Sequence, residues 1–142
     1  MKSIKQVLDA KGREVWSVAP GQSVYEAMKI MAEKEVGALL VLEDGKPIGL
    51  ISERDYARKV ILMGRSSKDA TVGQIMEPRP LCVRPGQTVE EGMALMTEKR
   101  VRHLPVIENG RVEGIVSIGD MVKAVIDQQQ FIIEQLENYI SG

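Results

Sequence analysis

Val18-Ala19-Pro20-Gly21-Gln22-Ser23-Val24 returns 65 residues later as Val83-Arg84-Pro85-Gly86-Gln87-Thr88-Val89, and this recurrence decides the fold. Self-similarity at a fixed, long period marks copies of one supersecondary unit. Outward from the match, Met28, Met31, Glu33, Lys34 and Val36 are answered by Met93, Met96, Glu98, Lys99 and Val101. Gly45, Gly49, Ser52 and Asp55 are answered by Gly110, Gly114, Ser117 and Asp120. A lead segment repeats too: Ser3-Ile4-Lys5-Gln6-Val7-Leu8 resembles Thr71-Val72-Gly73-Gln74-Ile75-Met76 at an offset of 68, so the first copy carries three extra residues near Lys11-Gly12-Arg13.

Each copy reads alike. Ser23 with Glu26, and Thr88 with Glu91, have capping-box spacing, in which a hydroxyl and a carboxylate satisfy orphan N–H groups at a helix start. The first such helix runs to about Glu33, with Ala27, Met28, Ile30 and Met31 at helical spacing. Ala38-Leu39-Leu40-Val41-Leu42 predicts a strand, Asp44-Gly45 a hairpin turn and Ile48-Gly49-Leu50-Ile51 the return strand. The second copy gives Leu104-Pro105-Val106-Ile107, the turn Asn109-Gly110, and Val112-Glu113-Gly114-Ile115-Val116. Ser52 and Ser117 then stand as N-caps where a strand meets a new helix.

The expected class is therefore α/β (α+β): strand, helix, strand, turn, strand, helix, twice over. The polar stretch Gly64-Arg65-Ser66-Ser67-Lys68-Asp69 reads as a linker. The organisation expected from sequence order is a first motif with its lead helix over 1–65, a second over 66–126, and a helical extension over 127–142. From Ile118 to Tyr139 one long helix is expected, with Phe131, Ile132, Leu136, Tyr139 and Ile140 mostly on one face. Such a stripe needs a partner surface, either its own domain or a second copy across a dimer interface.

The 142 residues, 44% of them hydrophobic, suffice for a real core, while 19 basic against 20 acidic side chains leave a net charge of -1. That balance argues against binding duplex nucleic acid, which needs a basic face. With 4% aromatic residues the chain also lacks the stacking platforms of single-strand binders. No run approaches the ~20 apolar residues of a membrane span, and Met1-Lys2-Ser3-Ile4-Lys5 lacks the apolar stretch of a secretory signal. A lone cysteine, Cys82, fits a reducing compartment, and the cytoplasm is the expected location. Its apolar flanks, Leu81 and Val83, predict an inert buried thiol.

Catalysis finds little support. His103 is the only histidine and Cys82 the only thiol, too few for a zinc site, and no Walker A or Gly-x-Gly-x-x-Gly pattern occurs. No enzyme, no catalytic cofactor and no metal are expected. The doubled Gly-x-x-Ser-x-x-Asp element, Gly49–Asp55 and Gly114–Asp120, is more informative. A strand ends, a hydroxyl caps a helix, and a carboxylate projects from the first turn. The dipole end favours an anion such as phosphate, and a carboxylate can accept from both hydroxyls of a ribose cis-diol. The plainer alternative is an N-cap serine with an aspartate that favours the dipole, which a duplication would copy as readily.

The doubled Val-x-Pro-x-x-Ser/Thr-Val start, Leu104-Pro105-Val106 and the two Gly-x-x-Ser-x-x-Asp elements together resemble a tandem CBS-domain pair, or Bateman module, of the small stand-alone bacterial type. The resemblance covers residues 3 to 126. It implies two pseudo-twofold-related β-α-β-β-α units packed through their sheets, with clefts that bind AMP, ADP, ATP, NAD(H) or S-adenosylmethionine. It also implies a regulatory or signalling role, a homodimer, and an unidentified protein that responds to it.

By that resemblance Asp55 and Asp120 take ribose hydroxyls, and Ser52 and Ser117 lie near ribose or phosphate. Arg102 and His103 take phosphate, and Gly37 and Ala38 leave room at the matching places of the first copy. Trp16, Ser17 and Leu81 lie where the opening strand borders the base, Leu50 and Ile115 on the strand before each serine. Arg54 and Arg58 add charge in the first copy, where the second has Ile118 and Gly119 beside its aspartate. Two unequal sites follow, with the Asp120 site, bordered by Trp16, expected to hold adenine more tightly. The rival reading is a protein–protein interaction module whose repeat is structural and binds no nucleotide.

Overall fold

The structure, a computed structural model, describes residues 2–141. In chain order the elements are α1 (Ile4–Lys11), β1 (Ser17–Val18), α2 (Val24–Lys34), β2 (Ala38–Glu43), β3 (Lys46–Ser52), α3 (Glu53–Tyr56), a π-helical turn (Ala57–Ile61), α4 (Val72–Ile75), β4 (Glu77–Pro78), α5 (Val89–Lys99), β5 (His103–Glu108), β6 (Arg111–Ser117) and α6 (Ile118–Ser141). The first repeat adopts the expected succession, in the second the opening strand is reduced to a single bridge at Val83, and the long C-terminal helix is present.

Packing does not follow the order of the repeat. Val15–Pro80 form one unit, and the residues up to Glu14 join those from Leu81 onward in the other. Ile4, Val7 and Leu8 of α1 are buried with Val83, Val89, Met96, Leu104, Val106, Val116 and Met121. Val72 and Ile75 of α4 are buried with Val18, Val24, Met31, Leu39, Val41 and Ile51. Each lead segment thus completes the unit of the other copy. The lead helix expected within 1–65 lies outside that half's core, and Gly64–Asp69 lies inside a unit, where Tyr25 donates its N–H to the Ser67 carbonyl at 2.8 Å.

The reason is visible in the repeated Pro-Gly-Gln-Ser/Thr loop. Ile4 N–H donates to the Gln87 carbonyl and Lys5 N–H to the Pro85 carbonyl, both at 2.9 Å. In the other unit Val72 N–H donates to the Gln22 carbonyl and Gly73 N–H to the Pro20 carbonyl, again at 2.9 Å. A helix start leaves backbone donors unpaired, and this loop supplies their acceptors.

In the first unit the sheet order is β1-β2-β3-β4. β1 runs parallel to β2, and the β2–β3 and β3–β4 pairs are antiparallel. In the second, β5 and β6 form a hairpin and Val83 bridges Val106 in parallel. The hairpins turn through Asp44-Gly45 and Asn109-Gly110, all four residues at positive φ, as the primed turns of tight hairpins require. Met31 and Met96 are buried, and Met28 and Met93 pack on their cores, so the repeated methionines are packing residues.

Two local expectations change. Ser23 and Thr88 do accept the Glu26 and Glu91 N–H groups, each at 3.1 Å, but the glutamates do not close the box. They accept instead from Gln22 and Gln87 side chains at 3.0 and 3.2 Å, because each glutamine stands one turn before its glutamate. The helix after Ser52 is also not regular. Leu62 N–H reaches back five residues to the Ala57 carbonyl at 3.1 Å, and Arg65 to Val60 at 2.9 Å. The second copy continues as α6 without this widened turn.

Candidate functional site

The sheet register gathers the predicted residues of each copy at one edge of its own unit. In the first, Ala38 pairs with Ser52, Leu40 pairs with both Ser17 and Leu50, and Glu53 N–H donates to the Gly37 carbonyl at 3.1 Å. In the second, His103 pairs with Ser117, Pro105 with Ile115, and Ile118 N–H donates to the Arg102 carbonyl at 2.9 Å. The strand starts at Gly37-Ala38 and Arg102-His103 thus lie beside their Ser-x-x-Asp elements. Arg54 and His103 are half-buried, and Arg58 and Arg102 exposed. The π turn begins between Arg54 and Arg58, so the two are not held in the α-helical phase their spacing suggested.

Both elements form reciprocal caps. Ser52 donates its backbone N–H to Asp55 Oδ2 at 2.9 Å and its hydroxyl to the same oxygen at 3.1 Å, while Asp55 N–H donates to Ser52 Oγ at 3.3 Å. Ser117 N–H donates to Asp120 Oδ2 at 2.8 Å, and Asp120 N–H donates to Ser117 Oγ at 3.1 Å. The capping role is therefore real, and it fixes each carboxylate through one oxygen. The side chains are 16% and 23% exposed, buried enough to be held and open enough to meet a solute.

Sequence reasoning missed a lysine on each carboxylate. Lys11 Nζ donates to Asp120 Oδ2 at 2.6 Å and to the Ile115 carbonyl at 2.8 Å. Lys59 Nζ lies 3.3 Å from Asp55 Oδ1 and donates to the Ile75 carbonyl at 3.0 Å. Lys59 was legible, since residues four apart on a helix are neighbours. Lys11 was not, because only the exchange of lead segments brings α1 to β6.

Burial alone pushes the Asp120 carboxyl up, but the Lys11 ammonium and the Ser117 donors together outweigh it and leave the group below the ordinary carboxylate range. The unfolded chain therefore binds the proton more readily than the folded one. The stabilisation is complete above the ordinary aspartate value near ~4 and is lost as pH falls through the lower folded value. Lys11→Met is expected to cost under about 1 kcal/mol at neutral pH, as for other partly exposed pairs. In urea unfolding the cost should shrink in acid; a deficit as large at pH ~3 as at pH ~7 would contradict the assignment.

Trp16 is half-buried against its own unit's core, with Lys34 Nζ 4.4 Å from the ring centroid. One part of its π surface is thereby engaged by a cation. Leu81 is 40% exposed. Cys82 corrects an expectation: it is exposed, not buried, and its neighbour Val83 takes the place in the core. Partial desolvation still pushes its thiol up, away from the reactive thiolate. Among the described residues no cluster of His, Cys, Asp or Glu is placed to hold a metal ion, and no helix is long and apolar enough to cross a membrane.

Comparison with known proteins bears on the family and the fold. The family profile described as CBS domain matches residues 6–61 and again 72–127. The CBS domain-containing protein CBSX3, mitochondrial, of Arabidopsis thaliana is 41% identical over 150 aligned positions, which cover 99% of this chain and 72% of that protein. A solved CBS-domain protein from Burkholderia ambifaria MC40-6, described as a candidate signal-transduction protein, is 49% identical with a TM-score of 0.87, over 90% of this chain and 96% of that one. The CBS domain pair of protein MJ0100, solved with 5′-methylthioadenosine and S-adenosylmethionine, has a TM-score of 0.77 over 87% of this chain and 99% of that one. Its identity is 22%, so that likeness carries the fold alone.

Proposed function

Because the chain belongs to the CBS-domain family and carries the domain twice, we propose that it is a non-catalytic regulatory module that binds an adenine nucleotide, AMP, ADP, ATP or NAD(H), at two unequal sites. The observation that carries this is the pair of half-buried carboxylates, Asp55 and Asp120, held alike by Ser52 and Ser117 at equivalent strand ends. A fixed carboxylate is a receptor for a cis-diol. Arg54 and Arg58 near one aspartate, and Arg102 and His103 near the other, are the cations and donors for phosphate. Gly37 and Ala38 leave space, and Trp16, Ser17, Leu50, Leu81 and Ile115 border the base. That MJ0100 binds two adenosyl compounds is a fact about that protein; the ligand class here rests on this chain's own diol acceptors and cations.

We infer a homodimer from α6. Phe131, Ile132, Leu136, Tyr139 and Ile140 are all exposed on it, so the own-domain packing weighed for this stripe is not what covers it. The same stripe favours the second reading, an interaction module for another protein. The single cysteine fits a reducing compartment, and the cytoplasm is our reading.

The test is thermal unfolding of nucleotide-stripped protein with AMP, ADP, ATP, NAD, NADH and S-adenosylmethionine, with GMP as control. Ligand at a hundred times its dissociation constant should add ~2.7 kcal/mol of stability. A rise with adenine ligands alone supports the sensor, and a flat panel moves the assignment to the interaction module.

A further inference from the structure

The two aspartates are equivalent in sequence and in their serine caps, yet they differ in which oxygen remains for a ligand. Lys11 settles on Asp120 Oδ2, the oxygen already used by Ser117. Among the described residues Asp120 Oδ1 takes no hydrogen bond. Lys59 settles on Asp55 Oδ1, the oxygen that the Ser52 cap leaves over. The lysines also come from unrelated places in the repeat. The residue equivalent to Lys59 in the second copy is Ala124, so the duplication does not supply a matching lysine to Asp120.

We propose that Lys59 is a latch that closes the Asp55 diol position, so that the Asp120 position, left open at Oδ1, fills first. This rests on the reading of both aspartates as diol acceptors. A cis-diol donates two hydroxyls, and Asp55 Oδ1, with one of its two lone pairs facing the ammonium, can take both only when Lys59 moves aside.

The displacement is modest in cost. Lys59 keeps its bond to the Ile75 carbonyl at 3.0 Å and has Glu77 Oε2 within 4.0 Å as a second anchor. Its contact with Asp55, at 3.3 Å, is the looser of the two nearer contacts. Partly exposed ion pairs of this kind shift equilibria by a few-fold. The latch therefore sets the order and concentration range of filling without forbidding it. Opening it also frees a lysine that ties the ligand carboxylate to the segment Ile75–Glu77, which leads into β4.

The experiment isolates the Asp55 position with Asp120→Asn, which keeps the cap acceptor, and adds Lys59→Met. Adenosine is the probe, because it has the diol and no phosphate for Lys59 to attract, and binding is followed by amide NMR titration. Lys59→Met should tighten adenosine binding about twofold to fivefold in that background, and the gain should vanish with 2′-deoxyadenosine. Lys59→Arg, which keeps the cation, should show no gain, and this second variant separates the latch from a general disturbance of the π turn. Unchanged or weaker adenosine binding in Lys59→Met overturns the latch while leaving the nucleotide reading standing. If the unsubstituted chain binds neither adenosine nor any adenine nucleotide, both fall together.

Discussion

Replacing Asp55 and Asp120 together by Asn should abolish the stabilisation that adenine ligands give this protein. Asparagine keeps a side-chain oxygen for the Ser52 and Ser117 backbone N–H groups, which now donate at 2.9 and 2.8 Å. The caps should therefore persist, and the ligand-free protein should lose no more than about 2 kcal/mol, mostly from the Lys11 and Lys59 ion pairs. What is lost is the anionic acceptor. A charge-assisted hydrogen bond is roughly twice as strong as a neutral one, and an amide offers one acceptor where a carboxylate offers two. At a ligand concentration a hundred times the original dissociation constant, the unsubstituted chain gains ~2.7 kcal/mol, on the order of 10 °C for a domain of this size. The double variant should gain almost none. Each single variant should keep part of the rise, with Asp120→Asn losing more if the Asp120 position fills first. A double variant that melts with the same ligand-dependent rise would remove both aspartates from the site.

The second large effect is on folding. A Cβ built on Gly49 would stand 2.6 Å from Met76 Sδ and 2.9 Å from the Glu77 carbonyl oxygen. The methionine can move, but the carbonyl belongs to β4, which pairs with β3 at this very residue, Gly49 opposite Pro78. Gly49→Val should cost about 3 kcal/mol or more, at the upper end of overpacking penalties. Gly114, its counterpart, faces only the flexible end of Leu8, with Cδ2 at 2.7 Å. Gly114→Ala should be the milder change, about 1 kcal/mol. Urea unfolding of both variants checks the ranking, and a Gly114→Ala more damaging than Gly49→Val would contradict it. The first residue of Gly-x-x-Ser-x-x-Asp is thus a packing residue: it admits the exchanged lead segment, Met76 in one unit and Leu8 in the other.

Much of the architecture was legible because its signals are local. Turns at Asp44-Gly45 and Asn109-Gly110, hydroxyl caps at Ser23 and Thr88, and the short apolar runs of the strands are properties of a few neighbouring residues. The Ser52 and Ser117 caps were equally readable, and with them the position of both aspartates. The repeat then multiplied every local reading by two. Its limit was that the inequality it predicted lay in Trp16, Leu81 and the basic residues, and not in the lysines that pair with the aspartates. Asp55 and Asp120 match in sequence, yet their lysines come from positions that do not correspond.

The sequence by itself determined the number of units, the order of their elements and the residues at each strand end, since hydrogen-bonding and hydrophobic period act over a few residues. Tertiary structure alone decided which lead segment completes which core, because Ile4, Leu8, Val72 and Ile75 are apolar in either copy and only packing selects between them. It decided, too, that Lys11 reaches Asp120 across more than a hundred residues of chain. A charge pair depends on distance in space, and distance in space is fixed only once the chain has folded.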